Sequence, residues 1–192
     1  TIPAAHAQPP IPPLPADLLF TASLTAGQGD LPRDVILRVD AETLEISPFY
    51  VDTEAYELIP LSWSPSGDKL AIYRRMPPTD SARTLFPRQL CILDRTGVLQ
   101  QCMEDNLPMH GVGFPQGWGY YYPVTWSPGG QNIYFDTEYP DTESFSGYGR
   151  RLVEASVVTG ETLRILHEYP ESFSISLSPD MNHVALECGD DW

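Results

Sequence analysis

The feature that most constrains this chain is one twelve-residue pattern written three times. It reads Leu61-Ser-Trp-Ser-Pro-Ser-Gly-Asp-Lys-Leu-Ala-Ile72, then Val124-Thr-Trp-Ser-Pro-Gly-Gly-Gln-Asn-Ile-Tyr-Phe135, and in diverged form Ile175-Ser-Leu-Ser-Pro-Asp-Met-Asn-His-Val-Ala-Leu186. In each copy an apolar alternation runs into Ser-Pro, then a polar turn, then a second apolar run. Successive side chains of a strand point to opposite faces, so Leu61 and Trp63 are expected on one face and Ser62 and Ser64 on the other. Pro65 has no N–H for a ladder and stops the strand. Ser66-Gly67-Asp68 is turn chemistry: Gly supplies positive φ and Asp bonds its own nearby backbone. The continuous run Leu70-Ala-Ile-Tyr73 suits a strand covered on both faces. The unit is a hairpin, and its recurrence fixes the architecture more firmly than any single motif.

Trp63 to Trp126 is 63 residues, and Trp126 to its counterpart Leu177 is 51. Each interval holds two further strands. Gln89-Leu-Cys-Ile-Leu-Asp94 and Val98-Leu-Gln-Gln-Cys102 flank a turn at Arg95-Thr-Gly97. Arg151-Leu-Val-Glu-Ala-Ser-Val-Val158 and Thr162-Leu-Arg-Ile-Leu166 flank a turn at Thr159-Gly-Glu161. Trp-Ser-Pro-x-Gly, an apolar strand, and a further strand ending in a short Gly-containing turn together resemble the repeats of TolB-like β-propellers. They are also similar to the WD40-like repeats and to the propeller domain of prolyl-oligopeptidase-type enzymes. The resemblance covers residues 17–187 and is weakest in the third copy, where Leu177, Met181 and Asn182 replace the Trp and the turn glycines. It implies an all-β propeller of four-stranded antiparallel blades that recognises partners, and it supplies no catalytic residue. The blades are expected at 17–56, 57–104, 120–168 and 172–192. Trp63 and Trp126 are expected at equivalent core positions.

At 192 residues the chain is shorter than the roughly 250–400 that a closed six- to eight-bladed ring needs. An incomplete ring of about three to four blades is therefore expected, with the rest of the propeller beyond Trp192. The segment 17–50 holds three strand patterns, which read as a blade without its first strand. Residues 1–16 are Pro-rich and read as an extended linker; Ala5-His6-Ala7 fits a signal-peptide cleavage pattern or an Ala/Pro tail. The first reading predicts an extracytoplasmic protein, periplasmic, secreted or on the cell surface. The net charge of −15 argues against nucleic acid and anionic membrane surfaces as partners. No apolar run approaches the roughly 18 residues of a membrane-spanning helix.

Short turns follow the first and third strand of each blade, and long connections follow the second and fourth. The long ones are 24–33, 75–88, 104–119 and 137–149. In an up-and-down blade they emerge at one end of the disc, where binding loops sit on a rigid scaffold. One carries Phe114, Trp118, Tyr120, Tyr121 and Tyr122, aromatic groups suited to sugar rings, peptides or protein surfaces, or to packing over a blade edge. Another carries Asp136, Glu138, Asp141 and Glu143, which lack the glycine and register of an EF-hand and read as a solvated acidic rim. The expected partner is a protein, peptide or carbohydrate, and no cofactor or metal is expected.

No G-x-S-x-G elbow, H-E-x-x-H or P-loop occurs in the chain. The leading functional reading is a non-catalytic binding or scaffold module. The alternatives are the propeller portion of a hydrolase and a purely structural assembly propeller. Cys91 and Cys102 fall on adjacent strands of one hairpin. A loop of Arg95–Val98 places them opposite each other, whereas a loop of Asp94–Gly97 makes a bridge diagonal. Cys188 is the third cysteine and has no partner in this pattern.

Overall fold

The computed structural model describes residues 16–24, 33–55, 57–77, 88–104, 124–140, 148–169, 174–178 and 183–187. Among them every regular element is a strand, and every pairing is antiparallel. Strands β1 (Leu18–Leu24), β2 (Arg33–Val39) and β3 (Ile46–Val51) form a three-stranded sheet. The second sheet is β4 (Glu57–Trp63), β5 (Lys69–Arg75), β6 (Arg88–Asp94) and β7 (Leu99–Cys102). The third is β8 (Thr125–Trp126), β9 (Asn132–Pro140), β10 (Tyr148–Ser156) and β11 (Thr162–Tyr169). A hairpin of β12 (Ser174–Leu177) and β13 (Val184–Glu187) follows. Each sheet is a meander in chain order. The architecture is a partial β-propeller with an open ring.

The apolar run predicted to be covered twice is covered twice. On β5, Leu70 and Ile72 join a core shared with the first sheet, while Ala71 and Tyr73 face a core shared with the third. On β6, Cys91 and Leu93 go to the first core, and Leu90 and Ile92 to the second. Ile36, Phe49 and Tyr50 complete one core, and Ile133, Phe135 and Val153 the other. Period-two alternation thus glues the second blade to both neighbours. Each fully buried aliphatic side chain contributes roughly 1.5–3 kcal/mol.

The Ser of each Ser-Pro has one repeated task. Ser64 N–H donates to Lys69 O at 2.8 Å, and Ser64 Oγ accepts Lys69 N–H at 3.1 Å. Ser127 and Asn132 repeat this at 2.9 and 3.0 Å, and Ser178 and His183 at 3.0 and 2.9 Å. The hydroxyl closes the turn in all three copies, including the diverged one. The turns after the third strands are closed by Asp40, Asp94 and Ser156, whose side chains accept nearby backbone N–H groups. Hydrogen bonds to these carboxylates, chiefly from Thr43 and Thr96, hold Asp40 and Asp94 below the ordinary carboxylate range.

Three expectations need correction. Leu61 and Trp63 do not share a face. Pro60 interrupts the ladder within β4, and a bulge falls between Pro60 and Ser62. Leu61 therefore packs toward the third sheet, whereas Trp63 meets Phe49 of the first, ring centroids 6.2 Å apart. Trp63 is also not core. It is 41% exposed, against 8% for Trp126. Both face the preceding blade, but Trp126 has β4 in front of it and donates from Nε1 to Ser62 Oγ at 3.1 Å. Among the described residues no strand lies inside β1, so Trp63 lacks that cover. Finally, the connection placed at 137–149 is shorter, because β9 extends to Pro140 and β10 begins at Tyr148.

Candidate functional site

The two ends of the stacked sheets differ in what they do. At the short-turn end, glycines seat each blade on the one before it. Gly97 has φ 86°, and a side chain there would overlap Phe49 O of the first blade. Gly160 has φ 79°, and a side chain there would strike Cys102 O of the second; Gly160 O also accepts Glu104 N–H at 2.9 Å. Gly130 lies over Ser64 and Pro65. Gly67 and Gly129, in the same set of turns, face open space.

The opposite end carries the connections that span 25–32, 76–87, 105–123 and 141–147. Arginines gather at the strand termini there. Arg33, Arg74, Arg75, Arg88, Arg150 and Arg151 all lie at or near the long-connection ends of β2, β5, β6 and β10. Arg75 and Arg88 stand directly opposite each other in register, a pairing that repels. Glu57 relieves it, accepting from Arg75 Nη1 at 3.1 Å. Arg33 Nη1 donates to Thr53 O at 2.6 Å. Arg150 is ion-paired with Asp136.

One buried ion pair here joins the first two blades. Arg74 and Asp52 are 7% and 6% exposed, and Arg74 Nε lies 2.6 Å from Asp52 Oδ2. Glu54 N–H and Ala55 N–H donate to Asp52 Oδ1 at 2.8 and 3.0 Å, and Tyr50 OH donates to Oδ2 at 2.7 Å. Burial alone would raise the Asp52 carboxyl, but those donors and Arg74 outweigh it and hold it below its ordinary value. Burial, then the Asp52 carboxylate, pushes Tyr50 well above the usual phenol range, so Tyr50 stays a neutral donor. Arg74 Nη1 also lies 3.6 Å from Cys102 Sγ and 4.0 Å from Cys91 Sγ.

Those cysteines are bridged, with Cα atoms 4.0 Å apart. The predicted Arg95–Val98 loop gives this pairing of the cysteines, but the turn that forms is one residue shorter. The turn is Arg95–Gly97 closed by Asp94 N–H to Val98 O, which pairs Leu93 with Leu99. A bulge at Gln100 then restores Cys91 opposite Cys102. Leu90 O accepts Met103 N–H at 2.9 Å, so the cysteines occupy the adjacent non-hydrogen-bonded pair, where strands approach most closely.

A second cluster lies on the third blade, on the face turned away from the second. Glu154, 5% exposed, accepts from Asn132 Nδ2 at 2.6 Å, from Tyr134 OH at 3.1 Å and from Arg164. Burial opposes its ionisation, but those three donors win and keep its carboxyl low.

Of the residues singled out from the sequence, Asp136 and Glu138 lie within β9 and not on a loop. Asp136 is buried at 1% exposure against Arg150, so it is not part of a solvated rim. Glu138 stands opposite Arg150 in register. Phe114, Trp118, Tyr120, Tyr121, Tyr122, Asp141 and Glu143 lie outside the described residues, as does Cys188. The Asp52–Arg74 pair went unseen because its members are 22 positions apart on different blades. Among the described residues no group of three or more His, Cys, Asp or Glu is placed to hold a metal ion, and no helix is long and apolar enough to cross a membrane.

No protein family and no curated protein matches the chain. Among solved structures it is similar to a protein from Bacteroides ovatus assigned as a dipeptidyl aminopeptidase IV, with a TM-score of 0.42 and 16% identity. The match covers 76% of this chain and 25% of that one, so the chain spans about a quarter of the length of its structural neighbour.

Proposed function

We propose that this chain is a non-catalytic binding or scaffold module that meets a protein, peptide or carbohydrate partner through its long connections. The observation that supports this is the asymmetry of the two ends. At the short-turn end Gly97, Gly130 and Gly160 are seated on the preceding blade, whereas the opposite end carries the longer connections, where recognition loops usually sit on a rigid scaffold. The aromatic residues Phe114, Trp118 and Tyr120–Tyr122 belong to one of those connections. The Cys91–Cys102 disulfide favours an oxidising, extracytoplasmic setting. Immobilised glycan and peptide arrays test the reading. Saturable binding by the chain should be lost in Trp118→Ala while the melting temperature is unchanged, because an aromatic anchor costs about 2 kcal/mol or more to truncate. A melting temperature that collapses in Trp118→Ala would make Trp118 a packing residue and overturn the assignment.

A further inference from the structure

We propose that the Cys91–Cys102 disulfide is a redox-sensitive latch on the junction between the first two blades, with Arg74 as the positioning residue that couples them. The guanidinium spans the two features. Nε holds Asp52, Nη2 lies 3.5 Å from Glu54 Oε2, and Nη1 rests on Gln89 Oε1 at 3.4 Å and on the two sulfurs. Asp52 in turn organises the turn that leaves the first blade, through the amides of Glu54 and Ala55. Arg74 has its side chain 8% exposed and Cys91 has none of its surface exposed, so neither has free space to move into.

Cys102 is the partly exposed residue of the pair, whereas Cys91 is fully buried, so attack is assigned to Cys102. A dithiol reductant sends one thiolate onto Cys102 Sγ. The S–S bond breaks, its electron pair leaves on Cys91 Sγ, and a mixed disulfide forms on Cys102. The second thiol of the reductant then displaces Cys102, and two protons complete the pair of protein thiols. Two electrons have passed from the dithiol, which becomes a cyclic disulfide. The protein sulfurs, no longer bonded, must part inside a packed site, and Arg74 lies against both. Displacing it withdraws the cation from Asp52, and a buried carboxylate without its partner is costly to keep. The turn at 52–55 then loosens while the third blade, which Arg74 does not touch, stays closed.

Amide hydrogen exchange on the unmodified chain reads this directly. Samples are compared as isolated and after full reduction with dithiothreitol at neutral pH. Reduction should speed exchange at Glu54 and Ala55 by about tenfold or more, leaving Asn132 on the third blade as protected as before. In Arg74→Met the two amides should already exchange fast, with no further change on reduction. Unchanged rates at Glu54 and Ala55 in the reduced native chain would overturn the latch. Equal acceleration at Asn132 would overturn it too, since reduction would then be unfolding the chain as a whole. The native comparison stands even if Arg74→Met does not fold.

Discussion

At the scale of single residues, the glycines separate two effects that sequence alone merges. Gly67 and Gly97 both have positive φ, 71° and 86°, and both sit in turns. Nothing lies within 4 Å of a Cβ built at Gly67, whereas one at Gly97 would overlap Phe49 O. Gly67→Ala should therefore cost about 1–2 kcal/mol, the left-handed penalty alone. Gly97→Ala should cost clearly more, because the first blade must also back away from the second. Urea midpoints of the two variants against the parent check the order. In the first blade Leu44 holds φ 61° at the corresponding turn, closed by Asp40. The turn glycines were legible from Ser-Gly-Asp and Arg-Thr-Gly alone. Their second duty, as contact points between blades, was not, because a one-dimensional pattern does not say which backbone will approach.

At the scale of elements, the strands of the first two hairpins and their partners could be read from alternation, since period two with turn residues admits few other structures. What escaped was local register. Pro60 and Gln100 each sit at or beside a bulge, and each reassigns the residues around it. The junction of the first two blades was equally hidden, because it depends on Asp52 and Arg74 meeting across sheets. That junction has a pH signature. The Asp52 carboxyl is held below its ordinary value in the folded chain, so the stabilisation is complete at neutral pH and is lost as pH falls through the folded value. The melting temperature should be flat from pH 7 to about 5 and fall below about pH 4, the ordinary range for a carboxylate. Asp52→Asn should melt lower at neutral pH and show a shallower acid slope. Glu154 and Asp94, also held low, should retain part of that slope. Calorimetry across the pH series measures both.

At the scale of the whole molecule, the two faces of the first blade contrast sharply. Leu19, Ile36 and Tyr50 turn toward the second blade and are covered. Leu18, Phe20, Leu24, Ile46 and Val51 share the opposite face by register and are exposed, from 38% for Phe20 to 63% for Ile46. A contiguous apolar face of this kind drives association. Sedimentation velocity should show concentration-dependent oligomers, and Phe20→Lys with Leu24→Lys should shift them toward monomer without lowering the melting temperature. A monomer at all concentrations in the parent chain would speak against it. The propeller architecture was legible from three Ser-Pro hairpins. The exposure of Trp63 was not, since it depends on what stands in front of the residue rather than on the residue itself. That exposure has an optical use. The indole of Trp63 meets Phe49 of the first blade and is otherwise open, so a strand laid over it would dehydrate it. Its emission would move to the blue and its quenching by iodide would fall, while Trp126, already enclosed, would stay constant. Subtracting the spectrum of a Trp63→Phe variant isolates this one fluorophore, which makes the innermost position of the second blade a reporter on whether its neighbour is complete.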